Sequence, residues 1–398
     1  MKFDTITEKE FKNFSKNCPL DTFIQTPEMA HIREHYGNKP YYVGVKDNKN
    51  KIIAASIISS RKAPFGLQFY APRGLLVDYN DLETLSFFTE HLKIFIKDKK
   101  GYVLRIDPYY INHQKDIDGK NVENGIDHSN GIKNLEKVGF QKSAYIYQKY
   151  KYMFCLDLDK DKDTIYSKFH SLPKRMIKKT NDYDITIREI NQKELSLVTE
   201  LLSETGSRKN FSIKDEEYFE LLYKYFKPIN EVKFMIAEIN LKNSIKKVND
   251  KIKNIQKDIS SCKDDSKKTT LEEKINQEQK NLEDLKEKLS IYGEKVVASA
   301  GVFILHNKEY TYLFGGNKKE LLPYGSSYLL QWTMIQEAIN LGFSRYNFYG
   351  IIYPDKTDGV YNFKRGFNGY VEELIGDYEL KTNNYYYLYR LINKIRNH

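Results

Sequence analysis

The residues best placed to do chemistry lie near the end of the chain, in residues 346–370, YNFYGIIYPDKTDGVYNFKRGFNGY. Lys364 and Arg365 stand between Phe363 and Phe367, after an aromatic strand, a Gly-containing turn and a Pro/Asp/Gly loop. Two phenyl rings can anchor such a segment while the adjacent cations face a cleft. There they could bind an anion or stabilise negative charge as it develops. The plainer alternative is a surface loop carrying a basic pair. Other chemistry leaves no motif: GxxxxGK[ST], HExxH, GxSxG and CxxC do not occur. His31 and His35 share a helix face without a third ligand, which is the pattern of a surface pair. Gly315 and Gly316, ahead of the helix that follows Tyr324, suggest a loose anion nest. They match an acyl-coenzyme-A pyrophosphate loop poorly. The chemistry is therefore expected from cations and tyrosines around one or two clefts.

The elements that position these residues need a chain of some size, and 398 residues allow two domains or more. The hydrophobic fraction of 40%, with 32 Tyr and 22 Phe, is enough for real cores. A net charge of +10 suits RNA, phosphorylated lipid or an acidic membrane face, although a Lys-rich coding bias gives the same excess. Cys18, Cys155 and Cys262 are scattered, so neither a disulfide framework nor a zinc site is expected, and a reducing compartment fits best. The first residues are charged and lack the apolar core of a signal peptide. No run approaches 18 apolar residues. The expected location is cytoplasmic, with a membrane met from its surface alone.

Thr7 and Glu10 form a capping-box pattern that starts a helix over 7–15. Pro27 starts a second helix and Gly37 stops it. Strands follow over 41–47 and 51–62, then a helix over 81–99 and a strand over 101–110, before a polar segment over 113–131. The second half repeats this plan, opening on one helix that carries Pro173. Both halves contain a helix, a Gly-Phe step and a strand, which points to a weak internal duplication of one α/β unit. Residues 241–291 differ. Ile245, Val248, Ile252, Ile255 and Ile259 step by three and four; so do Leu271, Ile275, Leu282, Leu285 and Leu289, with one polar break at Glu278. This spacing predicts an antiparallel coiled-coil hairpin with a polar turn over 260–270, inserted between two strands.

Several short pieces, taken in order, resemble the Fem (FemABX) family of aminoacyltransferases, which build the peptide cross-bridge of peptidoglycan from aminoacyl-tRNA. They include Phe23-Ile24-Gln25-Thr26-Pro27-Glu28, Ala71-Pro72-Arg73-Gly74, Arg105-Ile106-Asp107-Pro108 and Leu172-Pro173-Lys174-Arg175. Thr205 with Arg208 and Phe211, Tyr349-Gly350, and Phe363-Lys364 with Gly366-Phe367 complete the set. The resemblance implies an α/β (α+β) fold of two tandem acetyltransferase-like (GNAT) domains. On this chain they would be 1–152 and 153–377, with the arm over 241–291 in the second and the tail over 378–398 packing on the first.

The resemblance also implies site roles. Arg33 and Tyr36 stand where the family has a Lys and an aromatic for substrate phosphate; Arg is a sound replacement. Arg208 is a second phosphate or peptide contact, and Arg73 and Phe363 fall among the substrate-binding positions. Lys364 would hold the tRNA acceptor end or stabilise the oxyanion of the ester under attack. Asp107 occupies the position considered for a base, but a carboxylate next to Arg105 would be a weak one. No cofactor is implied. The partners implied are aminoacyl-tRNA and a lipid-linked or nucleotide-linked muropeptide precursor, with peripheral contact at the inner membrane surface. Two other readings stay open: a coenzyme-A-dependent N-acyltransferase of the same fold, and a non-catalytic protein that binds RNA or a membrane surface.

Overall fold

A computed structural model describes residues 1–144, 146, 150–209 and 213–396. The chain divides into two compact units. The first comprises Met1–Leu156, His306–Glu309 and Asn347–His398; the second comprises Asp157–Leu305 and Tyr310–Tyr346.

The first unit opens with β1 (Lys2–Thr5), α1 (Glu8–Ser15), α2 (Pro27–His35), β2 (Lys39–Lys46), β3 (Ile52–Ala63) and β4 (Gly66–Ala71). It continues with α3 (Leu82–Asp98), β5 (Gly101–Ile106), β6 (Ile111–Lys115), α4 (Ser129–Lys137), β7 (Phe140–Lys142) and β8 (Tyr152–Asp157). The second unit holds α5 (Lys162–Lys168), α6 (Ser171–Lys179), β9 (Ile185–Glu189), α7 (Leu195–Lys209), α8 (Glu216–Phe226) and β10 (Val232–Asn240). It continues with α9 (Leu241–Ser261), α10 (Asp265–Tyr292), β11 (Lys295–His306), β12 (Glu309–Asn317) and α11 (Ser326–Asn340). Strand β13 (Arg345–Ile351) returns the chain to the first unit, which ends with α12 (Gly359–Arg365), β14 (Tyr370–Leu374), β15 (Tyr378–Lys381) and α13 (Tyr385–Arg396).

Local chemistry accounts for many of these boundaries. Thr7 and Glu10 satisfy each other's backbone N–H at the start of α1. Thr26 caps α2 ahead of Pro27, whose missing N–H costs nothing in the first turn. Asp81 caps α3 by accepting from the Thr84 N–H at 3.0 Å. Helix α3 then buries Leu85, Phe88, Leu92 and Ile96 along one face, against Val43, Val45, Ile58, Phe69 and Leu104 of the sheet. Each such side chain stabilises the fold by about 1.5–3 kcal/mol.

The sheet beneath α3 runs β1-β2-β3-β4-β5-β15-β7. The β4–β5 pair is parallel, as its crossover through α3 requires; the other pairs are antiparallel. Strand β15 lies between β5 and β7, so a segment late in the chain is an inner strand of this sheet. Also within the first unit, β6, β14, β8 and β13 lie side by side in that order. In the second unit the order is β12, β11, β10, β9.

Helices α9 and α10 pack on each other in the connection between the antiparallel strands β10 and β11. Val248, Ile252 and Leu285 are buried where they meet, with Ile245, Leu282 and Leu289 beside them. The turn between them is shorter than the sequence predicts, because Asp264 accepts from the Lys267 N–H and starts α10 at once. The single helix predicted around Pro173 is two helices, α5 and α6, with His170 in extended conformation between them. Part of the predicted polar segment 113–131 is strand β6. Gly315 and Gly316 form no nest; they belong to β12. A Cβ on Gly316 would come within 2.7 Å of the Leu201 backbone, so glycine is what lets α7 approach the strand. Among the described residues, no helix is long and apolar enough to cross a membrane.

Candidate functional site

Helix α12 is too short to be stable alone, and aromatic packing fixes it. Asp358 caps it by accepting from the Tyr361 N–H at 2.7 Å. Tyr361 and Phe367 are buried, and Phe367 packs on Phe348 at 5.0 Å and on Phe363 at 5.5 Å between ring centroids. This turns Lys364 inward, where it is 5% exposed. Its Nζ donates to the carbonyl oxygens of Gly350 at 2.8 Å and Tyr349 at 3.2 Å. Burial pushes the ammonium down to about 7. Near neutral pH the group is therefore a mixture of charged and neutral amine. The neighbouring cation goes elsewhere: Arg365 donates to Asp118 at 2.7 Å, and Lys356 pairs with the same carboxylate at 3.0 Å. The expected pair of cations facing one cleft is thus one buried lysine and one surface ion pair.

A second buried group is built where β4 and β5 end. Gln25 is fully buried; its amide donates to the carbonyls of Ile57 and Pro72 and accepts from the Ile57 N–H. That fixes the loop of Pro72 and Arg73. Arg73 takes a left-handed φ of 56°, a conformation that costs a non-glycine residue on the order of 1 kcal/mol. The turn aims both its backbone N–H and its side chain at Asp107. One Asp107 oxygen accepts from the Arg73 N–H at 3.0 Å and the Tyr70 hydroxyl at 2.7 Å; the other pairs with the Arg73 guanidinium at 3.3 Å. The cation beside Asp107 is therefore Arg73. Arg105, assigned that place from its position in the sequence, faces Glu379 across the β5–β15 pair at 3.3 Å.

Tyr349 joins the two groups. It has a left-handed φ of 64°, its carbonyl accepts from Lys364, and its hydroxyl feels the Arg73 guanidinium. Burial pushes that hydroxyl up, and the guanidinium pulls the other way. The Tyr349 ring packs near Phe23 at 6.3 Å and Tyr150 at 6.2 Å. Arg73 also donates to the Tyr150 carbonyl at 3.1 Å. A Cβ on Gly350 would lie 2.3 Å from the Tyr150 ring, so glycine is required at that position. Lys364, Arg73 and Asp107 are thus connected through Tyr349, a position that the resemblance marks without assigning it a role. Its positive φ, the sign of a special site, cannot be read from residue types.

The other predicted residues have contacts of their own. The Arg33 guanidinium donates to the Ile24 carbonyl at 2.9 Å, tying α2 to the turn before it. Tyr36 ends the same helix, exposed, with its ring edge-on to His35. Phe363 is half-buried on α12. Arg208 belongs to the second unit, exposed near the end of α7 and 3.4 Å from the Asn317 carbonyl. Phe211, the last residue of that motif, lies outside the described residues.

A family model described as the FemAB family matches residues 6–394. The chain is 30% identical over 416 residues to a protein named Aminoacyltransferase FemA from Staphylococcus aureus (strain bovine RF122 / ET3-1), covering 100% of this chain and 99% of the relative. The crystal structure of FemX aligns with a TM-score of 0.76 at 22% identity, covering 98% of this chain and 100% of that one. A tandem GNAT protein from the clavulanic acid biosynthesis pathway aligns with a TM-score of 0.52 at 8% identity, covering 96% and 99%. The two structures show the fold: a mixed α/β chain of tandem GNAT type.

Proposed function

Because the chain belongs to the FemAB family and is an aminoacyltransferase, we propose that it moves an amino acid from aminoacyl-tRNA to the stem peptide of a lipid-linked peptidoglycan precursor. The observation that carries this reading to particular residues is the buried Lys364, held by the Tyr349 and Gly350 carbonyls beside the Arg73–Asp107 pair.

In the proposed reaction the stem-peptide amine attacks the ester carbonyl. A C–N bond forms, the C–O bond to the ribose breaks, and the ribose oxygen takes up a proton. The ester is already activated, so positioning and charge stabilisation can supply most of the rate. An ammonium has three N–H donors, and two of those on Lys364 meet protein carbonyls. The third is the donor proposed for the ester oxygen as negative charge develops there. Its low basicity makes the charged form a strong donor. Asp107 accepts two hydrogen bonds and pairs with Arg73, which suits an anchor better than a base. The attacking amine then gives its proton to water or to substrate. Arg33, Tyr36 and Arg208 are proposed phosphate contacts, and the helical hairpin a proposed coiled-coil arm for the tRNA.

The test is transfer of labelled amino acids from a total charged-tRNA pool onto lipid-linked precursor, with Lys364→Ala alongside. Label in the precursor, lost in the variant, supports the reading and names the amino acid. Absence of label with every charged tRNA, from folded protein, overturns it. Acyl-coenzyme-A donors in the same assay separate the reaction from an ordinary GNAT acylation.

A further inference from the structure

Helix α13 is fixed by polar bonds that decide which of its faces looks outward. Thr382 and Asn383 donate to the Gly101 carbonyl at 3.0 and 2.9 Å, ahead of its first turn. The Tyr386 hydroxyl donates to Glu379 at 3.0 Å, and Arg105 donates to the Tyr389 hydroxyl. Tyr102 packs on Tyr389 at 5.5 Å between ring centroids, and Tyr102, Val103, Tyr386 and Tyr389 form one buried cluster. With that face held inward, the opposite face carries Tyr387, Leu388 and Leu391 into solvent, where a water-facing helix would carry polar residues. Tyr387 is 58% exposed and Leu391 56%.

The surroundings extend this apolar face. Phe65, at the tip of the β3–β4 turn, stacks on the exposed Tyr385 with centroids 6.1 Å apart and planes 3° from parallel. An open groove of about 550 Å³ beside them is lined by Lys97, Asn383, Asn384, Tyr385, Tyr387 and Leu388, with no carboxylate among them. Lys381 lies over the Tyr387 ring at 4.0 Å and donates to its hydroxyl at 2.9 Å. Arg61 and Lys62 are exposed on the approach to Phe65. Residues 385–396 contain Arg390, Lys394 and Arg396 and no Asp or Glu.

We propose that Tyr385, Tyr387, Leu388 and Leu391 of α13, with Phe65 beside them, seat this protein on an anionic lipid surface. Aromatic and leucine side chains would enter the headgroup boundary while the surrounding cations meet lipid phosphates. Charge decides between occupants. A second copy of this chain would bring the same cations against each other, whereas an anionic bilayer complements them. The inference goes beyond the proposed reaction and does not depend on it.

The test is flotation of the full chain with vesicles of phosphatidylcholine alone or containing phosphatidylglycerol, at low and high salt. The variant is Tyr387→Ser/Leu388→Ser/Leu391→Ser, whose changes lie on the exposed face. Wild type should float with the anionic vesicles in a salt-sensitive way, and the variant should lose about tenfold or more in binding. Circular dichroism and the urea-unfolding midpoint should be unchanged, which separates docking from folding. No flotation of the wild type, or equal flotation of both proteins, overturns the proposal. So does a dimer of the wild type that the variant abolishes without any lipid binding, since a second copy would then be the occupant.

Discussion

In the helical hairpin, Lys251 stands between two carboxylates, Asp182 at 2.8 Å and Glu278 at 2.8 Å. In the Tyr349 cluster, Lys364 meets two backbone carbonyls at similar distances. Burial works against the charge of both. At Lys251 the hydrogen-bonded carboxylates outweigh it and hold the ammonium above its ordinary value. At Lys364 it prevails and pushes the group down to about 7. Full charges lock a lysine in one protonation state, whereas carbonyl dipoles hold its position and leave its proton free to move. The first arrangement suits structure and the second suits chemistry.

The largest expected effect is on the buried ion pair of the cluster. Asp107→Asn leaves the Arg73 guanidinium buried and uncompensated, which should cost about 3–5 kcal/mol in urea unfolding. Arg73→Met added to it should recover part of that loss, because no charge is then left unpaired. A fully stable Asp107→Asn protein that has lost transfer would instead place Asp107 in the chemistry. Next, Lys364→Ala should lower transfer roughly 10²–10³-fold, the range for loss of one oxyanion donor, with the fold retained by circular dichroism. An active variant would remove Lys364 from the reaction.

The lysine comparison also predicts a pH dependence. Lys364 has a folded pKa of about 7, below the value of about 10.4 in an unfolded chain. Below about 7 both states are charged and the burial penalty is complete; above about 10.4 both are neutral and it is gone. Between these values the unfolded state binds more protons, so stability rises with pH. The stability of wild type relative to Lys364→Met should therefore improve steadily from about pH 7 to about pH 10 in urea titrations. A flat difference would mean that Lys364 is solvated in the folded protein. Lys251, held above its ordinary value of 10.5, gives the opposite slope, and only at pH values above that.

These two regions also differ in how far the sequence reveals them. The hairpin is legible because its side chains repeat at helical spacing, just as α1, α2 and α3 announce their starts with Thr7, Pro27 and Asp81. The break between α5 and α6 is not legible, since Pro173 is tolerated in the first turn of a helix and marks no boundary by itself. The candidate site is legible as a set of residues and not as an arrangement. Lys364 and Asp107 stand out by type, but the partner of Asp107 is set by a left-handed turn at Arg73 rather than by its neighbour Arg105. Arg105 is claimed by Glu379, 274 residues away in the chain, because β15 inserts beside β5. Strand order of that kind has no local signal.

The smallest expected effect tests the polar break in the hairpin. Glu278 interrupts a run of leucines and isoleucines, and its side chain is largely buried against Lys251. Glu278→Leu removes one carboxylate, but Lys251 keeps Asp182 and is itself about one-third exposed, so water can replace the lost partner. The new leucine adds apolar contact beside Leu282 and Ile252. The two changes nearly cancel, and hydrogen exchange of the hairpin amides should shift by less than about 1 kcal/mol, toward greater protection. Lys251 should also move back toward its ordinary basicity, as one of its two hydrogen-bonded carboxylates is gone. A loss of more than about 2 kcal/mol would show that the Glu278 carboxylate, which also accepts from the Asn281 amide at 3.2 Å, is a requirement of the hairpin.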